Sequence, residues 1–315
     1  MTITDWPSTG VLVWWVSLTT ISALNVAAWI MVARGFARQT RSLDRRQRAT
    51  RRAQLVLSAL FVSGCAFRSL LPLAEGQRFC LFHSWISAAV ISRSVATVAE
   101  LALITQWTLL LREYARGVGA KPAFILSHFP VPLIATAEVF SWYTALTTNF
   151  IGSVVEESTW ALTAAVMIIS FSLIWPRYHG TRRKVLSVVI ALTAVYFVFM
   201  CSVDVPMYRQ RRRADQMLGK RYLSLADGWR DASTRRVVTR AWSDWRDEMP
   251  WMSLYFTAGV WISLALVRSP PCRDAESADA ERRPARPPIP GSGGGGDDDV
   301  RDSGAGQSIA GRSSV

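Results

Sequence analysis

Seven ionisable side chains stand inside or at the edges of long apolar blocks: Arg68, Arg93, Glu100, Glu138, Glu156, Glu157 and Asp204. A charge near a bilayer centre costs about 2.5–3.5 kcal/mol even on a lenient scale, so such residues are expected to find partners or water. Arg93, Thr97 and Glu100 are spaced four and three residues apart and share one helix face. Trp142 falls one turn beyond Glu138, with Ser141 beside it. Arg68 and Arg93 facing Glu100 and Glu138 can form a nearly neutral network. Two readings follow: the network staples helices together, or it lines a polar cavity that receives a ligand, a proton or an ion. In the second reading the arginines take anionic groups and the glutamates take protons or cations. Adjacent Glu156 and Glu157 point about 100° apart on a helix, which predicts one pocket group and one helix N-terminal charge.

Other chemistries lack their residues. There is no HExxH, GxSxG or Walker A pattern and no GxGxxG in a strand-to-helix context, which argues against zinc peptidase, serine hydrolase and nucleotide-driven readings. His83, His128 and His179 fall at different levels of the chain's topology and cannot share one metal, so neither a metal nor a cofactor is expected; an outer site from His83 with Glu156, Glu157 or Asp204 is the open alternative. The last apolar block has no lysine for a Schiff base. Cys80 and Cys201 fall near one membrane face, so a disulfide there is an open alternative to the commoner unpaired thiol.

The elements that must position these groups are membrane spans. Of 315 residues, 50% are hydrophobic and 19% charged, and the apolar residues come in blocks of about 20, the length that crosses a hydrocarbon core. This excludes a soluble enzyme, a secreted disulfide scaffold and a β-barrel. The expected spans are Val11–Val32, Gln54–Leu73, Phe82–Leu111, Ala123–Leu146, Ser158–Trp175, Val185–Val203 and Trp251–Val267. The fold predicted is all-α, a polytopic membrane bundle of seven transmembrane helices over residues 1–268. Because successive spans alternate direction, every one of these intramembrane charges is expected between the middle and the outer surface of the bilayer.

Net charge is +13, from 33 Arg and 3 Lys against 23 acids. The excess sits between the apolar blocks rather than on one basic domain, as expected of a membrane protein and not of a nucleic-acid partner. The first, third and fifth loops hold eight, three and four basic residues, whereas the second has only Arg78 and the fourth none. The positive-inside rule then places the N-terminus outside and the C-terminus in the cytoplasm of a cell (plasma or inner) membrane. The sixth loop, 204–249, opposes this with eleven basic and seven acidic residues. Within it Val238, Trp242, Trp245 and Met249 recur at helical spacing, which predicts an amphipathic helix lying in the headgroup region before the last span. Residues 269–315 hold seven Ser, six Pro and eight Gly with no aromatic residue, which predicts a disordered cytoplasmic tail.

Three function classes are compatible with these features. The first is a transporter or ligand-binding membrane protein using the charged network for a small solute or ion. The second is a lipid-modifying membrane enzyme, with membrane lipid as its partner and substrate. The third is a non-catalytic scaffold or sensor. Oligomeric state is not legible in the sequence.

Overall fold

A computed structural model describes residues 6–41 and 43–270; Cys272 and the predicted tail beyond Pro270 lie outside them. Among the described residues, seven helices are long and apolar enough to cross a membrane, and the chain is a polytopic all-α membrane bundle. The spans are α1 (Trp6–Gln39), α2 (Arg45–Leu70), α3 (Ala89–Gly117), α4 and α5 together (Lys121–Leu126 and Pro130–Thr147), α6 (Ile151–Ile174), α7 running into α8 (Gly180–Phe199 and Val205–Met217), and α11 running into α12 (Met249–Leu254 and Val260–Arg268). Three of them start where the sequence offers a local reason. Asp44 caps α2 by accepting from the Gln47 amide at 2.7 Å. Pro122 and Pro130 stand in the first turns of α4 and α5, where no intrahelical N–H is needed. Asn149 Oδ1 accepts from the Ile151 amide at the start of α6.

That cap corrects one expectation. Helix α6 begins at Ile151, not Ser158, so Glu156 and Glu157 lie within the helix rather than at its edge. A second correction concerns Asp204, expected at the exit of the sixth span. Helices α7 and α8 are joined without a break through a π turn, Met200–Asp204, so Asp204 lies inside one continuous helix from Gly180 to Met217. The last span carries a similar π turn at Tyr255–Gly259, where Asn25 of α1 donates to the Phe256 carbonyl at 3.0 Å. The side-chain amide thus supplies a donor to a carbonyl in the disturbed ladder.

The third correction is the helix expected over Val238–Met249. Val237–Val238 is instead a short strand, β3, pairing in parallel with β2 (Phe79–Cys80), which itself pairs antiparallel with β1 (Leu73–Ala74). Trp242–Trp245 is a single turn, α10, and Met249 opens α11. The run Val237-Val238-Thr239 is β-branched and fits an extended ladder better than a helix; Val237 and Thr239 donate to the carbonyls of Arg78 and Cys80. Trp245 and Met249 are buried while Val238 and Trp242 are exposed, so the four do not form one face. The amphipathic helix that precedes the last span is α9 (Leu225–Thr234), capped by Ser224.

Packing divides along the bundle. One apolar cluster gathers Phe61, Trp245, Met252 and Phe256 between α1, α2 and the last span. Another, around Leu111, Phe171 and Ile174, lies between α3, α4, α6 and α7. Between them a fully buried polar cluster joins three helices. Gln54 donates to the Gln106 carbonyl and Gln106 to the Gln54 carbonyl, at 2.9 and 3.1 Å. Ser263 contacts Gln106 Oε1 at 2.7 Å and Ser58 Oγ at 2.9 Å.

Candidate functional site: an arginine caged by four glutamates

Close backbone approach sets up the site. A Cβ on Gly64 would lie 2.8 Å from Ala99 Cβ, so α2 and α3 pass in near contact. One turn further on α2 stands Arg68, and next to Ala99 stands Glu100. A Cβ on Gly152 would lie 2.4 Å from the Phe140 carbonyl, which brings α6 equally close to α5. Glu156 follows Gly152 by four residues and therefore faces the same neighbour. Small residues at these crossings let polar side chains from different spans meet.

What they meet is Arg93. Its guanidinium lies 2.8 Å from Glu138 on α5, 3.2 Å from Glu100 on α3, 3.6 Å from Glu75 on the β1–β2 turn and 3.9 Å from Glu156 on α6. Glu138 Oε2 also accepts from Thr97 Oγ1 at 2.6 Å, and Thr97 accepts from Trp142 Nε1 at 3.1 Å. Ser92 donates to Glu75 at 3.2 Å. Arg68 pairs with Glu75 at 3.3 Å, and its guanidinium lies over the rings of Trp251 and Phe256 at 5.8 and 5.6 Å. The cage is closed: the side chains of these ion pairs are at most 14% exposed. Two surface grooves, one between α6 and α7 at Trp175 and one between α1 and α10 at Trp242, are apolar and involve none of these residues.

Arg68, Arg93, Thr97, Glu100, Glu138 and Glu156 are therefore brought together, but not in the expected pairing. Arg68 reaches the network through Glu75, and both arginines are engaged by carboxylates of the protein itself. Asp204 forms no ion pair with Arg93 among the described residues. Val238, Trp242, Trp245 and Met249 lie apart from the cage. Trp245 donates to the Thr239 carbonyl at 3.0 Å and packs 5.8 Å from the Trp14 ring.

Glu75 escaped the sequence reading because it sits in a turn outside any apolar block. Its signal is its place as the single acid of the short AEGQRF turn, at the bundle end where Glu100, Glu138 and Glu156 gather. The same turn supplies Arg78, fully buried with φ +62°. Its guanidinium donates to Asp231 at 3.0 Å, to the Ala145 carbonyl at 2.7 Å and to the Glu75 carbonyl. These bonds hold a non-glycine residue in the left-handed region and lock the turn to α5 and α9. Helix α9 presses on the end of α5 so tightly that a Cβ on Gly228 would lie 2.2 Å from the Leu146 carbonyl. Its Trp229 stacks on Trp142 at 6.3 Å. The helix thus covers the end of the hydrogen-bond chain that leads to Glu138.

Cys80 and Cys201 are free, the first buried under β3 and the second exposed, so they do not form the disulfide left open by the sequence. Burial pushes the Cys80 thiol above its usual range, against the opposing pull of Arg236.

The electrostatics of the cage are lopsided. Four carboxylates meet two guanidiniums, so the fully ionised cluster carries two negative charges in excess, not the near-neutrality expected. Two of its atoms are buried without a hydrogen-bond partner, Arg93 Nε and Glu138 Oε1. Such an arrangement attracts positive charge and protons, and it gives an anion no free guanidinium. Comparison of the chain with known protein families, with curated proteins and with solved structures finds no match in any of the three.

Proposed function

We propose that this membrane protein binds a small monovalent cation at the Arg93 cage, as the recognition step of a transporter or a ligand-binding membrane protein. The observation behind this reading is the excess of carboxylates over guanidiniums in a buried cluster that also holds an unpartnered carboxylate oxygen, Glu138 Oε1. A purely structural network gains nothing from surplus buried charge, because each unpaired carboxylate carries a desolvation cost of several kcal/mol. The two excess negative charges of the cage call for a cationic occupant. The closed packing favours a small one. The basic first, third and fifth loops support an orientation with the cage toward the outside of a cell membrane and the C-terminus in the cytoplasm.

The test is a thermal melt of the purified protein in lipid nanodiscs at fixed ionic strength. Sodium, ammonium or methylammonium is expected to raise the melting temperature of the wild type, as a ligand that binds only the folded state must. Glu138→Gln is expected to lose that response. A shift produced by small anions instead, or one retained in Glu138→Gln, removes the cage as the cation site.

A further inference from the structure

Helix α7 is the span least covered by the rest of the protein: within Gly180–Phe199 only Leu186 is buried. Between α7 and α6 lies an open apolar groove of about 320 Å³, lined by Ser172, Trp175, Ser187, Ile190 and Ala191. One end of it is built from side chains that hold one another in place. Trp175, in the 3-10 turn that closes α6, donates from Nε1 to Ser187 Oγ at 2.8 Å. Ser187 donates in turn to the Arg183 carbonyl at 3.0 Å, and the Arg183 guanidinium lies 3.8 Å over the Trp175 ring. Spacing puts two cations on the groove's own stripe of α7. Arg183 precedes Ser187 by four residues and Ile190 by seven; Lys184 precedes Ser187 by three and Ala191 by seven. The groove therefore begins at Arg183 and Lys184 and runs about 10 Å along α7 into the span, at 1.5 Å per residue.

Neither helix supplies an acid at this end. No Asp or Glu occurs from Ser158 to Val203, and among the described residues neither Arg183 nor Lys184 forms an ion pair. Arg177, which donates to the Leu173 carbonyl at the end of α6, adds a third positive charge. The first turn of α7 carries no side-chain cap and itself favours negative charge. Cations without acid partners, at the mouth of an apolar groove on a membrane span, fit one kind of occupant. We propose that an anionic phospholipid docks here, its phosphate on Arg183 and Lys184 and one acyl chain along the α6–α7 groove. A zwitterionic lipid fits less well, because its ammonium group meets the same cations. The site shares no residue with the Arg93 cage and stands or falls without it.

Native mass spectrometry of the full chain in detergent, titrated with phosphatidylglycerol or phosphatidylcholine, tests the site. The wild type is expected to bind one phosphatidylglycerol about 30-fold more tightly than phosphatidylcholine, the factor for two basic groups at a headgroup. That preference should fall to within about threefold in the double variant Arg183→Gln/Lys184→Gln. Filling the groove by Ala191→Trp should abolish the tight site although every charge remains. A charge-matched control at exposed positions of α2, Arg45→Gln/Arg52→Gln, should keep it. Ala191 is exposed; should its tryptophan variant nevertheless fail to fold, Ser172→Trp fills the same groove from α6. Equal loss in the control would reduce the preference to the chain's net charge and overturn the site. So would tight binding retained in the groove-filling variant, or no lipid preference in the wild type. Displacement of the lipid by inorganic phosphate at the lipid's own concentration would assign the cations to a free anion and overturn the lipid reading.

Discussion

The Gln54–Ser58–Gln106–Ser263 cluster and the Arg93 cage both carry polar side chains between α2, α3 and further spans. Their construction differs. The amide cluster is neutral, its members are completely buried, and its amides and hydroxyls reciprocate one another and the neighbouring carbonyls, leaving Gln54 Oε1 as its orphan. It has donors and acceptors in nearly equal supply and asks for nothing from outside. The cage has the opposite economy: acceptors and negative charge exceed what its two guanidiniums satisfy. A cluster made only to fasten helices can stop at the first arrangement. Burying charge in excess of its partners makes sense where something mobile supplies the balance.

That contrast can be broken by substitution. The largest effect is expected from Arg93→Met, which strands carboxylates from α3, α5, α6 and the β1–β2 turn around an apolar side chain. A loss of about 3–5 kcal/mol in reversible unfolding in mild detergent is expected, the range for removing one partner of a buried ion pair. A loss below 1 kcal/mol would show that the cage is already neutralised without Arg93. Next is Gly228→Ala. Its Cβ would meet the Leu146 backbone, which cannot give way as a side chain could, so α9 must lift at a cost of about 1–3 kcal/mol. Proteolysis between α8 and α9 should accelerate while the amide cluster stays protected in hydrogen exchange.

Gln106→Leu addresses the neutral cluster and should cost about 1–2 kcal/mol, the scale of interhelical hydrogen bonds in membranes. Its cation response in the nanodisc melt should stay at the wild-type level; loss of that response would merge the two clusters into one functional unit. Smallest in stability is Glu138→Gln. The amide keeps an acceptor for Arg93 and Thr97 and removes one excess negative charge. A change within about 0.5 kcal/mol is therefore expected, as for substitutions that create no cavity and no unpaired group. A large destabilisation with no change in cation response would make the cage a staple like its neutral counterpart.

How much of this was legible beforehand depends on the range of the interaction. The seven spans follow from block length and hydropathy, and the Arg93–Thr97–Glu100 face follows from helical period, both local properties of the chain. Glu138 and Glu156 were recognisable as costly residues needing partners, though the sequence could not say that both partners would be the same arginine. The failures are equally specific. Periodicity over Val238–Met249 mimicked a helix because four apolar residues happened to fall three and four apart. Pairing of Val237–Val238 with β2, more than 150 residues away in sequence, overrode it. Glu75 was invisible because nothing about a turn acid reveals which helices fold back over it.

The sequence by itself determined that this chain crosses the membrane seven times and that its intramembrane charges need partners, since both follow from the cost of placing polar groups in hydrocarbon, which each residue bears individually. Only the tertiary structure decided which charges touch. The close crossings at Gly64 and Gly152 and the turn locked by Arg78 bring four acids to one guanidinium, and the resulting imbalance is a property of the assembled cluster, because Coulomb interactions depend on distances that only the packed helices fix.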